Sequence, residues 1–451
     1  MVKELFSNVC ERFHLYERLP ADVETGDEQD GGECSEDQSR DKISSSNAFW
    51  NICNSIQGVA ILAMPYVIKG GGWWSIVALV IVAAISNYTG QILIKCHYDE
   101  MENEEDGSTT IVRTRTSYAE VGEAIWPQYG RRIILLVQVL ELLFMATLYP
   151  IVSVSVLHIL FPVKIFPSGV WILVFGLIVY PNVFLKKLYH ISLMSTVTVV
   201  SAAFVTAVII MYCFTSVATW KVGQMSIISA KEFISAIGVI IASYSSQMYL
   251  SVIEASMREP QKVGTVMNLG YTAMTLLKIG IGVVAYMTFG DSTLQVVALN
   301  LPPGVLLTMV NIVVLFLALS SYTLPMFTAF EILENDSSIT ESTGDVDKGM
   351  KRRVLVRTGL VLVTLLMAIS VPHFCLVLSF IGCFTGCFLE IIFPCAFYCI
   401  LKWDKINTFE LVFNILLIVG SLLFMGIGMY FSGLAMVHAF KYNTKEVWSV
   451  D

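Results

Sequence analysis

Two long apolar stretches carry polar, helix-weakening residues near their midpoints. The first, about 48–68, contains Asn51, Asn54, Ser55, Gln57 and Gly58, and the second, about 233–253, is interrupted by Ser243-Tyr244-Ser245-Ser246-Gln247. Each is long enough to cross a bilayer, which takes about 20 mostly apolar residues. Irregular backbone survives at membrane depth only where it lines a protein cavity. A half-helix N-terminus there offers N–H groups and a positive dipole to a carboxylate. Unwound carbonyls and serine hydroxyls accept from an ammonium. Together these are the groups that hold an amino acid. The expected contacts are Asn54, Gln57, Gly58, Ser243, Tyr244, Ser245, Ser246 and Gln247, with Tyr149 and Tyr322 as pocket walls or gates. The plain alternative is a pair of ordinary helices that tolerate their serines and glycine.

Three charged residues, Glu141, Lys278 and Glu390, lie inside other apolar stretches. A charge at that depth costs several kcal/mol unless it is paired or hydrated, so each is a candidate for proton or charge coupling. Lys278 with Glu141 is the expected pair, with Glu390 the next partner to test. A static ion pair that fixes helix packing is the competing reading. It leads for Glu390 and for Glu254, which ends the second interrupted stretch.

The elements that must position these groups are membrane helices. Of the 451 residues, 55% are hydrophobic and only 14% charged, where about a quarter of a soluble domain is charged. Apolar runs near 48–68, 73–96, 133–157, 168–185, 190–214, 233–253, 266–289, 305–330, 354–372, 374–401 and 409–436 predict about eleven spans. The split within Val354–Leu401 rests on Val371-Pro372-His373-Phe374, since proline and the residue before it disfavour helix. Interrupted spans in corresponding places of two halves point to a transporter's substrate site.

The net charge of −8 is concentrated near the start of the chain. Residues 21–41 hold Asp22, Glu24, Asp27, Glu28, Asp30, Glu33, Glu36, Asp37 and Asp41 against Arg40 alone. Residues 1–46 therefore read as a disordered acidic tail. The chain opens on charged sequence without a signal peptide, so the first span is expected to remain as an anchor. Lys and Arg concentrate in alternate loops, including Lys351-Arg352-Arg353, which places the N-terminus in the cytosol and, after an odd number of spans, the C-terminus in a lumen. Glu334–Asp347 reads as a flexible cytosolic loop. The ten cysteines show no zinc spacing, and the Cys383/Cys387 and Cys395/Cys399 pairs read as helix-face packing. No Walker loop, dinucleotide glycine turn, zinc-protease helix or nucleophile elbow occurs, so no enzyme activity, cofactor, metal or nucleic acid is expected.

The first span, with Trp50, Asn51, Asn54-Ser55-Ile56-Gln57-Gly58 and Pro65-Tyr66, resembles the opening helix of the amino acid/auxin permease family. So do Tyr88-Thr89-Gly90-Gln91, Glu141-Leu142, Leu148-Tyr149, Ser243–Gln247 with Glu254, Leu277-Lys278, Asn300-Leu301-Pro302 and the run from Leu365 to Phe374. The matches extend from about residue 47 to about 435. The resemblance implies an all-α polytopic fold in which two inverted five-helix repeats, about 47–214 and 233–401, are followed by an extra helix at about 409–436. The transporter domain would then be 47–436, followed by a short lumenal tail at 437–451. It also implies a secondary active transporter of small neutral amino acids such as GABA, glycine or β-alanine, carried into acidic vesicles of synaptic or endolysosomal type. Protons and membrane potential from a vacuolar proton pump would drive it, with chloride as a further ion and membrane lipid as its surroundings. Two departures stand out: a second glycine is missing before Pro65, and Glu390 falls where relatives look apolar. The rival readings are a proton- or sodium-coupled symporter of the plasma membrane or lysosome, and an amino-acid sensor that does not transport.

Overall fold

The computed structural model describes residues 42–102, 109–161, 167–184, 188–220, 230–335, 346–371 and 373–442. The expected acidic tail through residue 41, the centre of the 334–347 loop, Pro372 and the segment after residue 442 lie outside the described residues.

The first span is a bent pair, α1 (Ser45–Gln57) and α2 (Met64–Gly71), joined by a tight 3-10 turn over Val59–Ala63. Its two parts meet at 48°. After α3 (Trp73–Lys95) the chain forms an antiparallel hairpin, β1 (Tyr98–Glu102) with β2 (Thr109–Arg113), in register from Tyr98 opposite Arg113 to Glu102 opposite Thr109. A short α4 (Tyr118–Ile125) leads into α5 (Gly130–Leu160), the third span. Then come α6 (Ser168–Val179) and α7 (Leu188–Thr215). The sixth span is broken into α8 (Ala230–Ala242) and α9 (Gln247–Ser256). It is followed by α10 (Val263–Phe289), α11 (Val305–Asn335) and α12 (Val346–Ser370). The tenth span comprises α13 (Phe374–Ile381), a π-helical segment (Gly382–Ile392) and α14 (Phe393–Leu401), and α15 (Thr408–Tyr442) closes the chain.

Among the described residues, nine helices are long and apolar enough to cross a membrane. The bent first pair makes a tenth, and the shorter apolar helix Ser168–Phe184 falls where the fourth span is expected. The separation of α12 from α13 falls at residues 371–373, where the proline signal puts it. Two elements were not expected, the β1–β2 hairpin and the short helix α4, both outside the spans.

The two broken spans lie side by side with opposite directions. α2 packs on α8, while α1 packs on α9, so the first half of each meets the second half of the other. That is the arrangement two inverted halves produce, and it brings both breaks to one level in the bundle. α10 packs along both halves of the first span, and α5 runs against α11. Each of those last two carries an internal proline, Pro150 and Pro325. Proline removes one helical hydrogen bond and bends the helix.

Close backbone contact holds the sixth span to the tenth. A Cβ on Gly382 would lie 1.8 Å from the Gly238 carbonyl oxygen and 2.8 Å from the Ala242 nitrogen, both main-chain atoms that cannot swing away. Gly382→Ala is therefore expected to cost at least the ~1–3 kcal/mol typical of overpacking. Its thermal unfolding in detergent should begin several degrees below wild type; an unchanged transition would show that the two spans separate more easily than this packing implies.

Candidate functional site

The first break is made by glycine. Gly58 has φ 40° and ψ −170°, a conformation that side-chain-bearing residues rarely adopt. Pro65 then falls in the first turn of α2, where its missing N–H costs no helical hydrogen bond. The second break is made by short polar side chains that compete for backbone groups. At the end of α8, the Ser243 hydroxyl donates to the Ile240 carbonyl (2.7 Å). The helix does not resume until Gln247.

A cavity of about 80 Å³ lies between the breaks. Its wall takes Asn54, Ser55, Gln57, Gly58, Val59 and Ala60 from the first span, and Ser243, Ser245, Met248 and Tyr249 from the sixth. The third span adds Met145, Leu148 and Tyr149, and the eighth adds Ser320, Ser321, Leu324 and Pro325. Met194 and Thr198 come from the fifth. Thr198 donates to the Ser320 hydroxyl (3.1 Å), and Ser321 donates to Thr198 (3.3 Å), which ties the fifth and eighth spans together at the wall.

Of the residues expected from sequence, Asn54, Gln57, Gly58, Tyr149, Ser243 and Ser245 come together at this cavity. Four others are placed away from its wall and bonded elsewhere. The Tyr244 hydroxyl pairs with Thr275 (2.8 Å), and Ser246 pairs with Tyr271 (2.6 Å). Gln247 donates to the Ser86 carbonyl (3.1 Å) and to Thr89 (3.2 Å). Tyr322 pairs with Thr364 (2.9 Å) and meets Phe175 edge-on. These four brace the break and the eighth span against their neighbours. Sequence reasoning missed Met194, Thr198, Met248, Tyr249, Ser320 and Ser321. Only the neighbouring serines of the eighth span gave a signal, as small polar residues in an apolar run.

The expected Lys278–Glu141 ion pair is not formed. The Lys278 ammonium, fully buried, donates to the Ser243 carbonyl (2.5 Å) and hydroxyl (3.0 Å) and lies 3.6 Å from the Tyr244 ring centroid. It thus caps the carbonyl end of α8, where a helix dipole favours positive charge. The carboxylate in its electrostatic range is Glu390. Glu390 accepts from the Ser86 hydroxyl (3.0 Å), while its other oxygen is unpartnered. Glu141 is fully buried with neither oxygen hydrogen-bonded.

Glu254 has a structural setting. It accepts from the Tyr98 hydroxyl and forms an ion pair with Arg113 (3.1 Å), so the hairpin grips the end of the sixth span. The same hairpin reaches the tenth span's end through Asp99 to Lys402 (3.2 Å) and Glu100 to Lys405 (2.5 Å). Burial pushes the Asp99 carboxyl up, but Arg115, Thr114 and Lys402 outweigh it and hold the group below the usual carboxylate range. Beside it, burial brings the His97 imidazole down to about 4, against a weaker opposing pull from the Leu93 carbonyl at its Nδ1 (2.9 Å). His97 is therefore neutral near pH 7.

Residues 41–434 match the family described as transmembrane amino acid transporter protein. The chain belongs to that family. The chain is similar to the vesicular inhibitory amino acid transporter of Xenopus tropicalis, 32% identical over 433 residues, an alignment covering 93% of this chain and 82% of that protein. The vesicular GABA transporter of Caenorhabditis elegans is 28% identical over 410 residues, covering 89% of this chain and 82% of that one. Among solved structures, the inward-facing conformation of Mhp1 superposes with a TM-score of 0.55 at 15% identity, over 96% of this chain and 95% of that chain. That likeness is one of fold.

Proposed function

We propose that this family member moves a small neutral amino acid, glycine, GABA or β-alanine, into acidic vesicles, driven by the proton gradient and membrane potential of a vacuolar proton pump. The observation that carries the reading is the small cavity at two opposed helix breaks. Its wall combines hydroxyl and amide groups with Met and Leu side chains, which suits a small zwitterion with a short aliphatic body. The start of α9, with Met248 in the wall, presents helix N-terminal amides suited to a carboxylate. The Ser243 and Ser245 hydroxyls, with Asn54 and Gln57, supply acceptors for an ammonium. Vesicular delivery is supported by the names of the relatives. The excess of Lys and Arg in alternate loops supports a cytosolic N-terminus and a lumenal C-terminus.

The test is uptake by purified protein in proteoliposomes, across a panel of amino acids with a pH gradient, a potential or both imposed. Concentrative uptake of glycine or GABA into the acidic interior is expected, with leucine and phenylalanine poorly carried. Replacing chloride in the same assay reads its contribution. Uptake that follows only an inward sodium gradient would give the symporter reading instead. Saturable binding without movement in any arm would favour a sensor.

A further inference from the structure

We propose that Glu141 and Glu390 form one proton-binding site, a carboxyl–carboxylate pair that holds a single exchangeable proton, with Ser245 linking it to the substrate cavity. The inference deepens the transport reading above and rests on it for the direction of proton movement.

Three observations carry it. The two carboxyls are within electrostatic range of each other, with exposures of 0% and 1%. Of their four oxygens, only Glu390 Oε2 has a hydrogen-bond partner, the Ser86 hydroxyl. Buried carboxylate oxygens without partners are costly when charged, and a shared proton relieves that cost. Second, Ser245 lies within reach of both carboxyls, yet its buried hydroxyl makes no hydrogen bond of standard geometry to either. The same residue lines the cavity, and the two carboxyls do not. Ser245 therefore stands between substrate and pair, on the unwound segment that joins α8 to α9. Third, Glu390 sits in the π-helical segment Gly382–Ile392. Such segments are rare and gather at functional sites.

Charge balance favours one proton on the pair while it is closed off beside the ammonium. The ionisable neighbours are Lys278 and Tyr271 from α10, Tyr118 from α4, Tyr249 from α9 and Cys387 from the π-helical segment. Of these, Lys278 is the group able to carry a positive charge, its nitrogen held by the Ser243 carbonyl and hydroxyl (2.5 and 3.0 Å). Two carboxyls sharing one proton carry one negative charge, which the ammonium cancels; two ionised carboxylates would leave an excess charge in the bilayer. Two close carboxyls titrate as a unit, with one proton easily lost and the other held. In a vesicular cycle the pair gains its proton when open to the acidic lumen and gives it up when open to the cytosol. The proton count is conserved over the cycle, and no other reactant is needed.

Two measurements on the full-length protein test this. Infrared difference spectroscopy of the purified transporter across pH should show one buried protonated carboxyl band. That band should be lost or moved in both Glu141→Gln and Glu390→Gln, and moved in Ser245→Ala. If either glutamine variant leaves the other residue's band untouched, the two groups titrate separately and the pair is excluded. The spectrum does not require transport, so a wild-type protein that shows the shared band yet carries no amino acid would overturn the transport reading alone. In proteoliposomes, Glu390→Gln should retain exchange of labelled glycine or GABA at equal pH. It should lose pH-gradient-driven uptake and the accompanying proton flux seen by a trapped dye. Driven uptake that survives with its proton flux intact would overturn the proposal. Should the glutamine variants unfold, Glu390→Asp keeps a carboxyl in a shorter arm, and the pH profile of driven uptake should then shift; an unshifted profile counts against the pair.

Discussion

Lys278→Met is expected to abolish concentrative uptake and to lower thermal stability in detergent. The ammonium does two things that a thioether of similar length cannot. It satisfies the Ser243 carbonyl and hydroxyl at the break (2.5 and 3.0 Å), and it supplies the positive charge facing Glu390. Removing it leaves the buried Ser243 carbonyl without its partner, and an unsatisfied buried polar group typically costs about 1–3 kcal/mol. Second substitutions tell which carboxylate is the partner. Adding Glu390→Gln should restore much of the lost stability, and adding Glu141→Gln should do so to the extent that the two carboxyls share one charge, since Glu390 is the one in electrostatic range of Lys278. Equal rescue by both would mean that the charge is shared evenly across the cluster. Neither double variant should regain gradient-driven uptake, since the Ser243 carbonyl remains uncapped in both. Wild-type uptake by Lys278→Met would remove the lysine from the mechanism altogether.

The outcome for Lys278 shows what a sequence carries and what it does not. Depth can be read: Lys278, Glu141 and Glu390 each lie in an apolar run, and each is buried. Partnership cannot, because it depends on which face of each helix turns toward which neighbour. Within one apolar run the periodicity is blurred when most of the helix is surrounded by apolar groups, protein or lipid alike. The breaks themselves were legible, since glycine, asparagine and serine inside an apolar span have few other reasons to occur. Which break residues face the cavity was not. An unwound segment presents successive side chains in unrelated directions, so Ser243 and Ser245 reach the wall while Tyr244, Ser246 and Gln247 bond to the surrounding helices. Met194 and Thr198 were missed for the opposite reason: they sit on a regular apolar helix and differ little from its lipid-facing residues. The π-helical segment left no mark either, because Gly382–Ile392 reads like any apolar run. The hairpin did have a trace in the β-branched run Thr109-Thr110-Ile111-Val112, which favours strand over helix.

Gly58→Val is expected to eliminate substrate exchange as well as driven uptake, leaving a protein that still inserts and purifies as a single species. The reason is conformational before it is steric. A Cβ at this position would meet nothing nearer than the Ala60 nitrogen at 4.0 Å, so the protein itself has room for it. The backbone angle of +40° does not suit it: a β-branched residue there is strained by about 1–3 kcal/mol, or shifts the break to relieve the strain. The room a new side chain would take is also the substrate's, because Gly58 is part of the cavity wall. Alanine separates the two effects. Gly58→Ala carries much of the backbone strain but little bulk, so it should lower the melting temperature while keeping measurable exchange of glycine. Valine adds bulk at the cavity wall, so exchange should be lost beyond anything the stability change explains. If valine binds and exchanges substrate with ordinary apparent affinity, the amino acid does not sit at the first break, and the cavity described here serves some other purpose. If alanine already removes all exchange without lowering stability, close approach of the substrate to the Gly58 backbone is the tighter constraint, and the left-handed angle is secondary.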